Sequence, residues 1–296
     1  MLLMDGGHGT SAPLLILRTC NQRRIALDAI SVILVVGDQG WVIMTLVQNV
    51  SRSPRRWGRI ALIVVAVTLA IPLFSPIIFR TLLFQPFYIP ARSMMPTLVD
   101  GDSLFASKYA YGYSRYSLPL SPRLFSGRIF GSVPARGDVV IFRAPRNDTV
   151  DYVKRVVGLP GDRIQIQQGL LYINGVPAQR QRLPDVAGDE ACGIGYGNRT
   201  KRWRETLVNG VSYETLDCVD NGFYDNTRIY DVPNGHVFVL GDNRDNSTDS
   251  RVLSAIGYVP VENIVGRAGL IYFSRKPSID GAPSIVRTER MGTLVH

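Results

Sequence analysis

The 296-residue chain is poor in histidine, lysine and cysteine, and each shortage excludes chemistry. Of its three histidines, His8 and His296 lie at the extreme termini. A Ser-His-Asp triad would have to use His236, which heads the apolar run Val237–Leu240 and reads instead as a structural strand-end residue. The three cysteines, Cys20, Cys192 and Cys218, form no C-x-x-C pair, which argues against a zinc site or a thiol redox motif. Clustered metal ligands are missing, so no metal is expected and a metalloprotease is disfavoured. Cys192 and Cys218 share one polar stretch and could pair in an oxidising compartment. The net charge of +9 is not concentrated: seven Arg face three Asp up to Arg59, and 26 Lys+Arg face 21 Asp+Glu beyond it. No block reads as a nucleic-acid arm, and the spread of positive charge suits a chain lying near anionic lipid. No internal repeat is evident.

What the sequence does contain begins with Ile60–Phe79, twenty residues without a charge between Arg59 and Arg80. At 1.5 Å per residue a helix of that length covers about 30 Å, the thickness of a hydrocarbon core. Pro72 and Pro76 are better tolerated in a membrane helix than in a soluble one. Arg52, Arg55, Arg56 and Arg59 crowd the N-terminal flank, whereas Phe84, Phe87 and Tyr88 follow the run as an interfacial belt. The positive-inside rule then predicts a cytoplasmic region over 1–57, a transmembrane helix over 58–80 and an extracytoplasmic domain over 81–296. No small-x-small site follows the run, which reads as an anchor rather than a cleaved signal peptide. Residues 29–50 are apolar in patches but carry Asp38, which weakens a second span there. Met44 opens a short Arg-rich leader before the anchor, so residues 1–43 also read as an upstream extension.

Beyond residue 90 the expected fold is mainly β. Short alternating or β-branched runs appear at Val139–Arg143, Tyr152–Val157, Arg163–Gln167, Leu170–Asn174, Val237–Leu240 and Ile264–Phe273, with turn signals at Gly161-Asp162 and Asn174-Gly175. Two polar stretches, Tyr111–Arg136 and Val176–Pro233, read as surface insertions on this scaffold.

Three constellations carry chemistry. Ser93 lies about thirteen residues past the span, stiffened by Pro90 and Pro96. Thirteen extended residues reach at most about 45 Å, which keeps this serine near the membrane surface. Lys154 sits inside an apolar strand and shares a face with Tyr152 and Val156 by alternation. A lysine there is either an edge residue that snorkels outward or a buried amine with a lowered pKa, able to take a proton from a serine hydroxyl. Among Lys108, Lys154, Lys201 and Lys276 it has the most apolar neighbours. The third constellation, Gly241–Arg251, is dense in Asp, Asn, Arg and Ser. It reads either as a solvated loop or as a paired network, with Ser247 placed to hydrogen-bond and aim the lysine amine.

Ser93-Met-Met-Pro-Thr97, Gly101-Asp102-Ser103, Arg136-Gly-Asp-Val-Val140, Tyr152–Asp162 and Gly241–Arg251 occur in this order after one span. Together they resemble bacterial type I signal peptidase, the leader peptidase, over roughly residues 58–275. The resemblance implies a signal-peptidase-like β catalytic domain on the outer face of the plasma membrane, bound to signal-peptide-bearing preproteins and to the bilayer, with no cofactor. It implies cleavage after a small-x-small motif such as Ala-x-Ala. By resemblance Ser93 matches the nucleophile, and its N–H one oxyanion donor; Lys154 matches the general base. Tyr152 matches a residue packing on the base, and Ser247 the hydroxyl orienting it. Asp242, Arg244, Asp249 and Arg251 match a supporting network. The chain departs from the family at Ala91, where relatives place a second oxyanion hydroxyl or a glycine; Arg92 or water would have to substitute. Two rival readings remain: a self-cleaving Ser/Lys protease of the repressor type, disfavoured by the span, and an inactive signal-peptide-binding module, favoured by Ala91 and Arg92 alone.

Overall fold

The computed structural model describes residues 32–37, 40–45, 54–118, 121–122, 125–187, 191–192, 199–276 and 284–296. The chain divides into two units, Met1–Val65 and Ala66–His296. In the first, β1 (Val32–Gly37) pairs antiparallel with β2 (Gly40–Thr45). The described part of the weak second span is therefore a strand pair and not a helix; Asp38 lies outside the described residues. Helix α1 (Pro54–Ile78) starts in this unit, contains Pro72 and Pro76, and runs into a π turn at Phe79–Leu83. Gly58–Leu83, with a mean hydropathy of 2.6, is among the described residues the one helix long and apolar enough to cross a bilayer. The described Leu, Ile and Val side chains from Ile60 to Leu73, with Ile78, Leu82 and Leu83, stand exposed, in keeping with the anchor reading.

The second unit is mainly β, as the alternation predicted. Its strands are β3 (Phe84–Tyr88), β4 (Asp102–Ser107), β5 (Val139–Arg143), β6 (Asp151–Gly158), β7 (Arg163–Gln167), β8 (Leu170–Ile173), β9 (Val176–Pro177), β10 (Gln179–Ala187), β11 (Arg199–Thr206), β12 (Ser212–Asp217), β13 (Tyr230–Asp231), β14 (His236–Leu240), β15 (Val259–Pro260), β16 (Ile264–Lys276) and β17 (Ile285–Val286). The main sheet runs β15-β14-β6-β5-β16-β4-β3, with β17 added to β16. Burial follows sequence texture. β7 shows Ile164 and Ile166 to the core and polar residues to water. In central β5 the unbroken run Val-Val-Ile-Phe is buried on both faces. β7, β8, β9 and β13 form a second sheet, closed by the Asn174-Gly175 turn, where both residues have positive φ.

The polar stretches are more than surface decoration. In the first, Arg128 is anchored by donating to the carbonyls of Tyr111, Gly112, Val261 and Ile264. Burial pulls its pKa down to about 10. The second folds into its own three-stranded sheet, β10-β11-β12, and buries Glu205, Thr215 and Leu216. Cys192 and Cys218 are joined in a disulfide with 6.0 Å between their Cα atoms.

Candidate active site

Three chain segments meet around Ser93. The first, residues 89–98, is pinned to the core by Ile89, Met94 and Leu98, whose side chains are buried in one cluster. Ser93 lies between these anchors and stays half-exposed. The second is β6, held on one side by β5, with Val140 opposite Lys154, and on the other by β14, with Leu240 opposite Arg155. The third is the turn after β14, which starts at Gly241. A Cβ at Gly241 would stand 2.6 Å from the Ser93 carbonyl oxygen and 2.2 Å from Ser247 Oγ, so only glycine lets the three segments close.

Lys154 is 2% exposed, and its Nζ is hydrogen-bonded to Ser93 Oγ at 2.7 Å and to the Val153 carbonyl at 2.9 Å. Burial lowers its pKa from 10.5 to about 8, although Asp249 and Asp242 pull in the other direction. That shift corresponds to about 3 kcal/mol against the ammonium form. The ring of Tyr152 lies on the same face, 5.6 Å from Nζ, and stacks on Phe142. Lys154 is therefore not the outward-pointing edge lysine of the alternative reading.

A second lysine is also buried. Lys108 donates to the Ser117 carbonyl at 2.5 Å and the Thr81 carbonyl at 3.4 Å, and burial followed by the charge of Arg80 lowers its pKa to about 8. Low basicity alone does not single out a base; the serine hydroxyl beside Lys154 does.

The Asp/Arg-rich turn is a buried network and not a solvated loop. Arg251 donates side-on to Asp249 through Nε and Nη2, at 2.8 Å for both contacts, and Asp249 also accepts the Gly241 N–H. Burial opposes the Asp249 charge, but Arg251 outweighs it and holds this carboxyl below its usual range. Two partners come from outside the turn. Asp242 takes both ends of the fully buried Arg155 guanidinium, at 2.8 and 2.7 Å, and accepts the Thr97 hydroxyl at 2.5 Å. Arg244 pairs with Glu205 of β11 at 2.5 Å. Reading the sequence missed Arg155 and Glu205. Arg155 had a signal, an arginine inside an apolar strand; Glu205 had none.

Ser247 differs from its expected role. Its hydroxyl is buried close to where a Gly241 Cβ would stand and makes no hydrogen bond to Lys154. His236 bonds the carbonyl of its neighbour Asn234 and takes no part in the Ser93 groove. Arg92, proposed as a substitute oxyanion donor, turns its Nε to Asp100 at 3.4 Å. Ala91 is exposed at the groove rim and offers no hydroxyl.

Ser93 and Lys154 open on a groove of about 720 Å³. Ile89, Ile141 and Val153 give it an apolar floor, whereas Asp245, Asn246 and Thr248 give it a polar side. Among the described residues no cluster of His, Cys, Asp or Glu could hold a metal. An amine of lowered basicity hydrogen-bonded to a serine hydroxyl in such a groove has the geometry to take a proton from that hydroxyl.

Comparison with known proteins gives the family. The family model described as "Signal peptidase, peptidase S26" matches residues 55–273, and the chain belongs to that family of serine peptidases. It is 42% identical over 208 residues to signal peptidase I of Rickettsia typhi (strain Wilmington), covering 68% of this chain and 76% of the relative. With signal peptidase I of Rickettsia conorii (strain Malish 7) it shares 40% over 232 residues, 76% of this chain and 81% of the relative. A crystal structure of a signal peptidase I from Enterococcus faecalis V583 aligns with 46% of this chain and 97% of its own at 28% identity, with a TM-score of 0.26.

Proposed function

We propose that the chain cuts signal peptides from exported preproteins with a Ser93/Lys154 dyad, after a small-x-small sequence such as Ala-x-Ala. The observation that carries this reading is the 2.7 Å hydrogen bond between Ser93 Oγ and the buried Lys154 Nζ. Neutral Lys154 takes the hydroxyl proton as Ser93 Oγ bonds to the scissile carbonyl carbon. The resulting ammonium returns that proton to the departing amine as the C–N bond breaks. An ester on Ser93 remains. Water then attacks it, Lys154 again takes the proton, and Ser93 Oγ leaves as its hydroxyl is restored. Val153 O keeps the amine aimed through this cycle. Tyr152 shields one side of it, and Asp242, Arg244, Asp249 and Arg251 are structural.

The apolar floor formed by Ile89, Ile141 and Val153 suits small side chains. The apolar helix suits an anchor in the bacterial plasma membrane with the β unit on the outer face. A tethered substrate then reaches the groove at high effective concentration.

The test is cleavage of a detergent-solubilised preprotein bearing an Ala-x-Ala site, with Ser93→Ala and Lys154→Ala alongside. Site-specific cutting by the intact chain, lost in both variants, is expected. Binding without cutting by the intact chain would replace this reading with that of a signal-peptide-binding module, for which Ala91 is the supporting observation.

A further inference from the structure

The Ser93 N–H belongs to the peptide unit whose other end is the Arg92 carbonyl. That unit is planar and trans, so its C=O and N–H point in opposite directions. Whatever grips the carbonyl therefore aims the N–H. Arg92 O is gripped twice, by the Met95 N–H at 3.1 Å and by Asn243 Nδ2 at 3.2 Å. The backbone N–H of Asn243 also donates to Ser93 O at 3.2 Å. One asparagine, 0% exposed, thus holds the carbonyls on both sides of the nucleophile. Among the described residues no protein acceptor takes the Ser93 N–H, and Ser93 itself lines the groove.

The asparagine is braced from behind. Its second amide hydrogen goes to the Ala191 carbonyl at 2.7 Å. Ala191 precedes Cys192, which is bonded to Cys218, and this small cluster packs on Met95, two residues after Ser93. With both amide hydrogens committed, the side chain has one orientation. With no side-chain donor at Ala91, the Ser93 N–H is the oxyanion donor that the serine's own peptide unit offers.

We propose that Asn243 is a positioning residue for the reaction, turning and polarising the Ser93 N–H toward the developing oxyanion, with the disulfide-closed Ala191–Cys192 segment as its brace. The inference rests on the reading of Ser93 as nucleophile. A donor chain Asn243 → Arg92 C=O, with the same peptide's N–H donating to the oxyanion, strengthens each bond in turn. The charge that it serves exists only in the tetrahedral state, so the effect belongs in kcat and not in ground-state binding.

The experiment uses the full chain in detergent and a preprotein substrate. It compares kcat and KM with affinity for two peptides spanning the cleavage site, one an aldehyde that adds to Ser93 and one an unreactive amide. Asn243→Ala is expected to lower kcat by about 10- to 100-fold, less than the 10²–10³ of removing a whole donor. It should weaken the aldehyde by the same factor and leave KM and amide binding within about twofold. Cys192→Ser with Cys218→Ser, or complete reduction of the unaltered chain, should lower kcat in the same pattern by a smaller factor. A folded Asn243→Ala with kcat unchanged, or one that loses aldehyde and amide equally, overturns the proposal. Should Asn243→Ala not fold, reduction decides: an unchanged kcat after full reduction overturns it. Ser93→Ala separates the two readings, since cleavage by that variant defeats the nucleophile assignment itself.

Discussion

Lys154 and Arg155 are adjacent in one strand, and the pleat sends the lysine amine to Ser93 and the arginine guanidinium to Asp242. Both are buried, yet their electrostatics are opposite. Arg155 meets a carboxylate side-on, through Nε and Nη2, and is held firmly charged. Lys154 meets a neutral hydroxyl and a carbonyl, and burial favours its uncharged amine. Two basic residues side by side are thus given different charge states by their partners.

Because the neutral amine is the working form, kcat/KM should climb with pH about tenfold per unit and level off above about 8, the folded-state value for Lys154. A pH profile on the preprotein checks this. A bend near the ordinary histidine value, or a flat profile, would remove Lys154 as the base.

The same residue should cost stability. Its folded pKa lies below the 10.5 of an unfolded lysine, so the unfolded chain binds the extra proton between about pH 8 and 10.5, and stability rises with pH across that window. Below about 8 the full penalty of about 3 kcal/mol is present. Lys154→Met should therefore abolish cleavage while raising the thermal midpoint at pH 7, with the gain shrinking as pH approaches 10. A lowered midpoint would show that the Ser93 and Val153 hydrogen bonds outweigh burial.

Ala91→Ser should add the missing donor at an exposed position. An oxyanion donor is worth about 10²–10³ in rate when well aimed, so a kcat gain of about tenfold or more with KM little changed is expected. No gain would mean that this rim position does not face the oxyanion.

Glu205→Ala should strand Arg244, a buried guanidinium whose side-chain counter-charge is that glutamate. Removing one partner of a buried pair costs about 3–5 kcal/mol. Urea unfolding of the variant measures it; a loss below about 1 kcal/mol would show that water reaches Arg244. The conservative Glu205→Gln should lose less, because it can still accept from Nη2 and Tyr213.

Much of the fold was legible in advance. Val139–Arg143 and Arg163–Gln167 are strands with the expected ends, because a half-buried or doubly buried strand writes its environment into side-chain alternation. Lys154 could be singled out because a lysine among Val and Tyr contradicts its surroundings, whereas Ser93 stood out through Pro90, Pro96, its nearness to the span and the resemblance. The disulfide was one of two open outcomes. Less legible were relations made only by folding. Asp242 was expected within a network of its own turn, whereas its partner Arg155 comes from a strand 87 residues away. Lys108, which the sequence set aside only for having fewer apolar neighbours than Lys154, is buried by carbonyls at Ser117 and Thr81 that its immediate neighbours do not announce. Ser247 was expected on the lysine amine, but in the turn that Gly241 permits its buried hydroxyl makes no hydrogen bond to it.

The stretch from Val176 to Pro233 supplies the counter-ion of Arg244, the whole brace behind Asn243 and the ring of Tyr224 at the groove. It is consequently not a detachable module. A shortened enzyme made by splicing it out would keep every residue of the Gly241–Arg251 signature and still contain an unneutralised guanidinium in its interior, so trimming this protein calls for replacing Arg244 in the same step.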